Sequence, residues 1–171
     1  MVRLASDHGL YTATSTNAHF VTEEKAEATV RSGRSLLIIS LDGTDQETYS
    51  AYRKEGELAK VIEGAERIVK RKQKLKSATP QVVFQFLVVK PNEYQIPEAR
   101  ALAKRVGVDD LWLKTAQIYE PKDDHPLIPT QDKYARYKRN ESGVWEVKNK
   151  LEDSCWKMWH SCVITWDGRV V

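Results

Sequence analysis

The sequence predicts an α/β fold of parallel strands and intervening helices, organised as a partial or open βα barrel. Three features carry this expectation. The run Ser35-Leu36-Leu37-Ile38-Ile39-Ser40-Leu41 is almost continuously apolar, as in a strand covered on both faces. Leu58, Val61, Ile62, Ala65, Ile68 and Val69 recur at three- and four-residue spacing and mark one apolar face of a long helix. A second strand-like run, 82–89, is rich in branched and aromatic residues and leads to a further helical face at Ala99, Leu102, Ala103 and Val106. Buried strands alternating with amphipathic helices specify a parallel sheet with right-handed crossovers.

In chain order, 3–8 reads as the tail of a helix that Gly9 ends in a left-handed conformation. A short β-rich run follows at 10–15. Thr22 is an acceptable N-cap, and Glu23 and Glu24 suit the first turn of a helix that runs to about Ser32, where Gly33 stops it. After the apolar strand comes the polar turn Asp42-Gly43-Thr44-Asp45, which holds a capping candidate, and then a short helix through Tyr49 and Tyr52. Pro80 precedes the 82–89 strand. Pro97 sits where a first helical turn tolerates it, and Gly107 ends that helix before a last strand at 110–114. Only four strands are visible, whereas a closed eight-stranded barrel takes about 250 residues.

Beyond Thr115 the pattern breaks. Pro121, Pro126 and Pro129 lie among charges, as in a surface connection, and Gly143 marks a turn between weak strands. The stretch 163–171 has Asp167-Gly168 between two β-rich arms, a hairpin signal.

The chain is 41% hydrophobic and 30% charged, the composition of an ordinary folded protein. No apolar run approaches the roughly 20 residues of a membrane span, and 1–10 lacks a signal-peptide core, so a cytoplasmic location is expected. A net charge of +3 is too mild to point to nucleic acid. The basic run Lys70-Arg71-Lys72-Gln73-Lys74-Leu75-Lys76 can bind phosphates, but it has no interleaved aromatics and suits the solvated last turn of a helix. The two cysteines, Cys155 and Cys162, cannot complete a metal site alone.

Three segments together resemble one family. Thr14-Ser15-Thr16-Asn17-Ala18 is similar to the "TNG"-type strand-end turn of radical SAM enzymes. Ile38-Ile39-Ser40-Leu41-Asp42-Gly43-Thr44, with Glu47-Thr48-Tyr49 and Tyr52-Arg53, resembles the "SxDG" strand end and following helix of the SPASM-containing subgroup. Cys155-Trp156, Trp159 and the Asp167-Gly168 turn resemble the opening of a SPASM domain. The resemblance divides the chain into a partial radical SAM barrel core (1–119), a connecting segment (120–154) and the β-hairpin start of a SPASM auxiliary-cluster domain (155–171). The family's CxxxCxxC loop and "GGEP"-like strand end have no counterpart here and would lie upstream of Met1, and a second SPASM cysteine would fall just past Val171. The chain is therefore expected to be an interior piece, inactive by itself.

The resemblance implies reductive cleavage of S-adenosylmethionine at a [4Fe–4S] cluster. A 5′-deoxyadenosyl radical would then modify a peptide or small-molecule substrate. It also implies an auxiliary [4Fe–4S] cluster in SPASM and a reductant such as flavodoxin or ferredoxin. A membrane is not among the expected partners.

The implied cofactor contacts are Asn17, Ser40, Asp42 and Arg53, with Cys155 as a metal ligand. Each has a plainer reading. Ser40 can satisfy local backbone, Arg53 can be an exposed helix arginine, Asn17 can hold the turn by adopting a left-handed conformation, and Asp42 can cap or turn the chain. Gln85 would point into the barrel if Phe84 and Phe86 pack outward. Cys162 and His160 are as readily structural as ligating. Trp156, Trp159 and Trp166 are expected to be packing residues. Two other classes remain. One is a non-catalytic α/β binding module with a basic surface. The other is a different βα-barrel enzyme that uses Asp42 as acid or base.

Overall fold

Four parallel strands stand side by side in chain order: β1 (Ala13–Thr16), β2 (Leu36–Ser40), β3 (Gln81–Val88) and β4 (Asp110–Thr115). The computed structural model describes residues 1–149, 155 and 157–171. Residues 150–154 of the expected connection, and Trp156, lie outside them. The helices are α1 (Val2–Asp7), α2 (Glu23–Arg31), α3 (Gln46–Tyr52), α4 (Leu58–Lys74) and α5 (Ile96–Val106). This is the partial βα arrangement that the sequence predicts.

Helix ends follow the capping chemistry. The Thr22 hydroxyl accepts from the Lys25 amide at 3.2 Å and starts α2, and the Asp45 carboxylate accepts from the Thr48 amide at 2.8 Å and starts α3. Asp45, not Asp42, is therefore the cap in the Asp-Gly-Thr-Asp turn. Gly107 closes α5 at φ 82°. The strand expected at 10–15 begins three residues later, at Ala13, because 9–12 leads the chain out of α1.

Side-chain alternation divides the sheet into two faces. Leu37, Ile39, Val82, Phe84, Phe86 and Val88 pack with Ala26 of α2, Val61, Ala65 and Ile68 of α4, and Ala99 and Leu102 of α5. Phe84 and Phe86 are 0% exposed there. The intervening residues belong to the other face. On it the register sets Ser40 beside Gln85, and Gln85 beside Trp112. The condition on Gln85 is thus met.

The basic end of α4 is more than a solvated turn. Arg71 bridges Glu23 and Glu27 at 3.0 Å each, and Lys72 reaches Asp109 at 2.7 Å. Asp109 also accepts from the Val82 amide, so this pair anchors the start of β3.

The chain forms two compact units, Met1–Arg136 and Tyr137–Val171. Within the second, β5 (Tyr137–Arg139) pairs antiparallel with β6 (Trp145–Val147). A short helix, α6 (Lys157–His160), and an antiparallel bridge between Ile164 and Val170 follow. That bridge is the predicted Asp-Gly hairpin, with Gly168 at φ 84°. Trp159 and Trp166, expected as packing residues, are 85% and 98% exposed.

Candidate functional site

Parallel βα folds gather their chemistry at the carboxyl ends of the strands. Asn17, Ser40, Asp42 and Gln85 all lie at or near that end, on β1, β2 and β3. Asn17 follows Thr16, whose partner Ile39 precedes Ser40, so Asn17 and Ser40 share one rim.

Asp42 is buried and engaged on every polar atom that faces its neighbours. Its Oδ2 accepts from Arg53 Nε at 2.6 Å, and its Oδ1 accepts from the Leu87 amide at 3.2 Å. The last backbone rung between β2 and β3 is Leu41 N–H to the Gln85 carbonyl. The Asp42 carboxylate then stands in for the next carbonyl and extends the ladder by one step. An acid or base role gains no support from a carboxylate so occupied. Arg53 caps the end of α3 and uses only Nε in this pair. Its guanidinium lies 5.4 Å from the Tyr52 ring centroid.

Two buried amides bolt the strand-end loops together, and the sequence reading missed both. The Asn92 side chain accepts from the Val89 amide and donates to the carbonyls of Asp42 and Leu87. Gln95 accepts from the Thr44 amide and donates to Asp45, Thr48 Oγ1 and Tyr94 Oη. An isolated Asn or Gln in a polar stretch has no periodicity to betray its burial. Gly43 completes the joint: a Cβ there would lie 2.6 Å from the Tyr49 nitrogen, so only glycine lets α3 pack this close.

Around Asn17 the backbone differs from expectation. The left-handed residue is Ala18, at φ 57°, while Asn17 makes an Asx turn by accepting from the His19 amide at 3.3 Å. His19 Nε2 accepts from the Glu57 amide at 2.9 Å, so Nδ1 carries the proton and donates to the Asn17 carbonyl at 3.1 Å. Beside His19, Tyr49 is 0% exposed, and its hydroxyl has no hydrogen-bond partner among the described residues. Burial raises the Tyr49 pKa, Arg53 opposes that shift and Asp42 adds to it.

Ser40 is buried at the strand end, and its hydroxyl makes no hydrogen bond among the described residues. No local backbone bond satisfies it, and it is not among the fully buried side-chain atoms that lack a partner, so it stays open to solvent beside Gln85. The iron–sulfur expectation places the remaining thiolates outside this chain, and the described residues leave it untested. Cys155 and Cys162 are both exposed, and among the described residues no three His, Cys, Asp or Glu side chains gather as a ligand set.

A second feature opens over the same strand ends. A cleft of about 420 Å³ lies between α3, the turn after β3 and the segment carrying Leu127, with Asp42 and Asn92 at its base. That segment is tied down by Glu93, whose carboxylate accepts from the Thr130 amide at 3.0 Å, from the Thr130 hydroxyl and from the Gln131 amide at 3.2 Å. Burial works against the charged form. The bonds from Thr130 and Gln131, with Lys90 nearby, outweigh it and hold the Glu93 carboxyl below its usual range.

A group that binds its proton more weakly when folded stabilises the fold above the ordinary carboxylate pKa. That contribution is lost as pH falls through the lower, folded value. The Thr130 amide resonance is therefore expected to titrate with a midpoint below ~4.3. A midpoint at or above that value would remove Glu93 as the tether.

No family model matches the chain. Two solved structures of SuiB from Streptococcus suis, one of them bound to S-adenosylmethionine, are similar to it. Each aligns with a TM-score of 0.59 at 14% identity, over 77% of this chain and 28% of SuiB. Over that span the chain is similar in fold to one part of SuiB. It spans little more than a quarter of SuiB's length, and the parallel four-strand sheet supplies its α/β core. No described helix is long and apolar enough to cross a membrane.

Proposed function

We propose that this chain supplies part of the S-adenosylmethionine-binding wall of a radical SAM/SPASM enzyme acting on a peptide or small-molecule substrate. The observation that carries the reading is the unpaired Ser40 hydroxyl at the carboxyl end of β2, in a fold shared with a protein solved with S-adenosylmethionine bound. Bound S-adenosylmethionine, cleaved reductively at a [4Fe–4S] cluster fed by a flavodoxin or ferredoxin, would supply a 5′-deoxyadenosyl radical.

The chain's own residues would bind and orient. Ser40 would hydrogen-bond the cofactor's ribose or amino-acid part. Arg53, gripped through Nε by Asp42, would offer its terminal nitrogens to a carboxylate. Asn17 would complete the rim. In this reading Asp42 acts through Arg53 and does not touch the cofactor itself. Cys155 would join further thiolates around an auxiliary cluster. The basic-module alternative is weakened, because Arg71 and Lys72 of the basic run are committed to ion pairs.

Titration of the chain with S-adenosylmethionine, followed by amide and indole resonances, tests the reading. Shifts are expected at Ser40, Gln85 and Trp112, and Ser40→Ala should weaken them severalfold. Shifts absent from these positions would overturn it. In a protein that also carries the cluster cysteines, anaerobic reconstitution and reduction should yield 5′-deoxyadenosine, with less formed by the Ser40→Ala variant.

A further inference from the structure

The turn after β1 and the loop between α3 and α4 are joined by one side chain, His19. Both of its ring nitrogens are engaged. Nδ1–H donates to the Asn17 carbonyl two residues back, and Nε2 accepts from the Glu57 amide 38 residues on. The half-buried ring lies over Tyr49, with centroids 6.3 Å apart and planes at 28°. An amide N–H can only give, so this pair of bonds exists for the neutral ring alone.

Each end of the tie carries a residue of the proposed cofactor rim. The turn carries Asn17. The loop, 53–57, starts at Arg53, passes through Glu55 at φ 61° and presses Gly56 against Tyr49, where a Cβ would lie 2.7 Å from Cε1. Gln46 fastens this loop to its own helix, donating to the Gly56 carbonyl and accepting from the Leu58 amide, both at 2.8 Å. His19 fastens it to the end of β1.

The charges on the elements around the ring are mostly committed. Glu57 bonds Lys60, Asp42 bonds Arg53, and Glu63 of α4 bonds Arg67. Lys25 of α2 donates to the Phe20 carbonyl at 3.0 Å. Lys54 and Glu55 are exposed neighbours of opposite sign on the loop. No carboxylate bonds either ring nitrogen among the described residues, so a proton added to the ring meets no counter-ion there.

We propose that His19 is a proton-operated positioning residue: its neutral ring holds the Asn17 turn and the Arg53 loop in register, and protonation lets them part. The consequence for S-adenosylmethionine rests on the function proposed above; the tie itself does not. A proton from solvent would add to the Nε2 lone pair that the Glu57 N–H occupies. That bond breaks and two N–H groups face each other, while Nδ1–H stays on the Asn17 carbonyl. The loop then loses its hold on the β1 rim, and Arg53 loses its fixed place.

The test uses the whole chain, without ligand at first. A nitrogen–nitrogen coupling across the hydrogen bond from Glu57 to His19 Nε2 should be present while the ring is neutral. It should vanish as the ring titrates, with the Glu57 and Asn17 amide shifts following the same midpoint. S-adenosylmethionine, read at Ser40 and Gln85, should bind about fivefold more weakly once the ring is protonated, the worth of one hydrogen bond. By linkage, adding it on the acidic side should restore the coupling. His19→Gln keeps an acceptor for Glu57 without titrating, so its affinity should be the same at both pH values, with the far-UV spectrum as the check on folding. A neutral ring without the coupling, or Glu57 and Asn17 amides that ignore the ring's titration, would overturn the tie. A pH dependence of affinity that survives in His19→Gln would overturn its positioning role. The coupling needs no ligand, so failure of the tie and failure of S-adenosylmethionine binding are distinguishable.

Discussion

Replacing Asp42 by alanine is expected to destabilise the Met1–Arg136 unit by about 2–3 kcal/mol in urea unfolding. Most of this comes from one backbone group. The Leu87 amide loses its acceptor at the end of the β2–β3 ladder, where an unsatisfied amide costs about 1–3 kcal/mol. The Arg53 pair contributes less. Its guanidinium side chain is 39% exposed and can turn to water when the carboxylate goes, so the ion pair is screened. Asparagine at the same position should cost less than alanine, because its carbonyl oxygen can still accept from Leu87 while its amide pushes Arg53 away. A loss below about 1 kcal/mol for alanine would mean that Asp42 does not complete the ladder.

Gly64→Ala is the second large effect, with an expected net loss of about 2 kcal/mol or more. A methyl there would sit 2.2 Å from the Ala18 carbonyl oxygen, well inside contact distance, against backbone rather than a side chain that could swing away. Helix propensity pulls the other way, since alanine in mid-helix is favoured over glycine by about 1 kcal/mol. The clash should win, because Ala18 is itself fixed in a left-handed conformation and buried between the loop and α4. The readout is twofold: a lower urea midpoint, and displaced Asn17 and His19 resonances, since that turn must move to relieve the contact. Unchanged stability would show that α4 can slide away from the loop.

These two residues illustrate what was legible from sequence. Gly64 lies on the periodic face of α4, and nothing in the pattern distinguishes it from a tolerated helix glycine. The helices and strands themselves were legible because burial of one stripe leaves a period, as at Val61, Ala65 and Ile68. Asn17 and Ser40 were legible as strand-end residues, and the β1–β2 register then sets them on one rim. Asn92 and Gln95 were not found, because a buried amide satisfied by loop backbone leaves no repeating trace. Neither were the ion pairs of Arg71 and Lys72, whose partners come from elsewhere in the chain. Asp42 was singled out for its place in a motif, while its bond to Leu87 depends on a strand 45 residues away.

That bond bears on how such motifs should be interpreted. An aspartate that closes a hydrogen-bonded ladder and a glycine that admits a helix backbone are both demanded by mechanics alone. The cost of losing Asp42 or Gly43 falls on stability whether or not a protein carries out any chemistry. Finding the two side by side in another protein therefore testifies to shared architecture. Evidence of chemistry has to be sought instead at side chains that make no bond within the fold, as at Ser40.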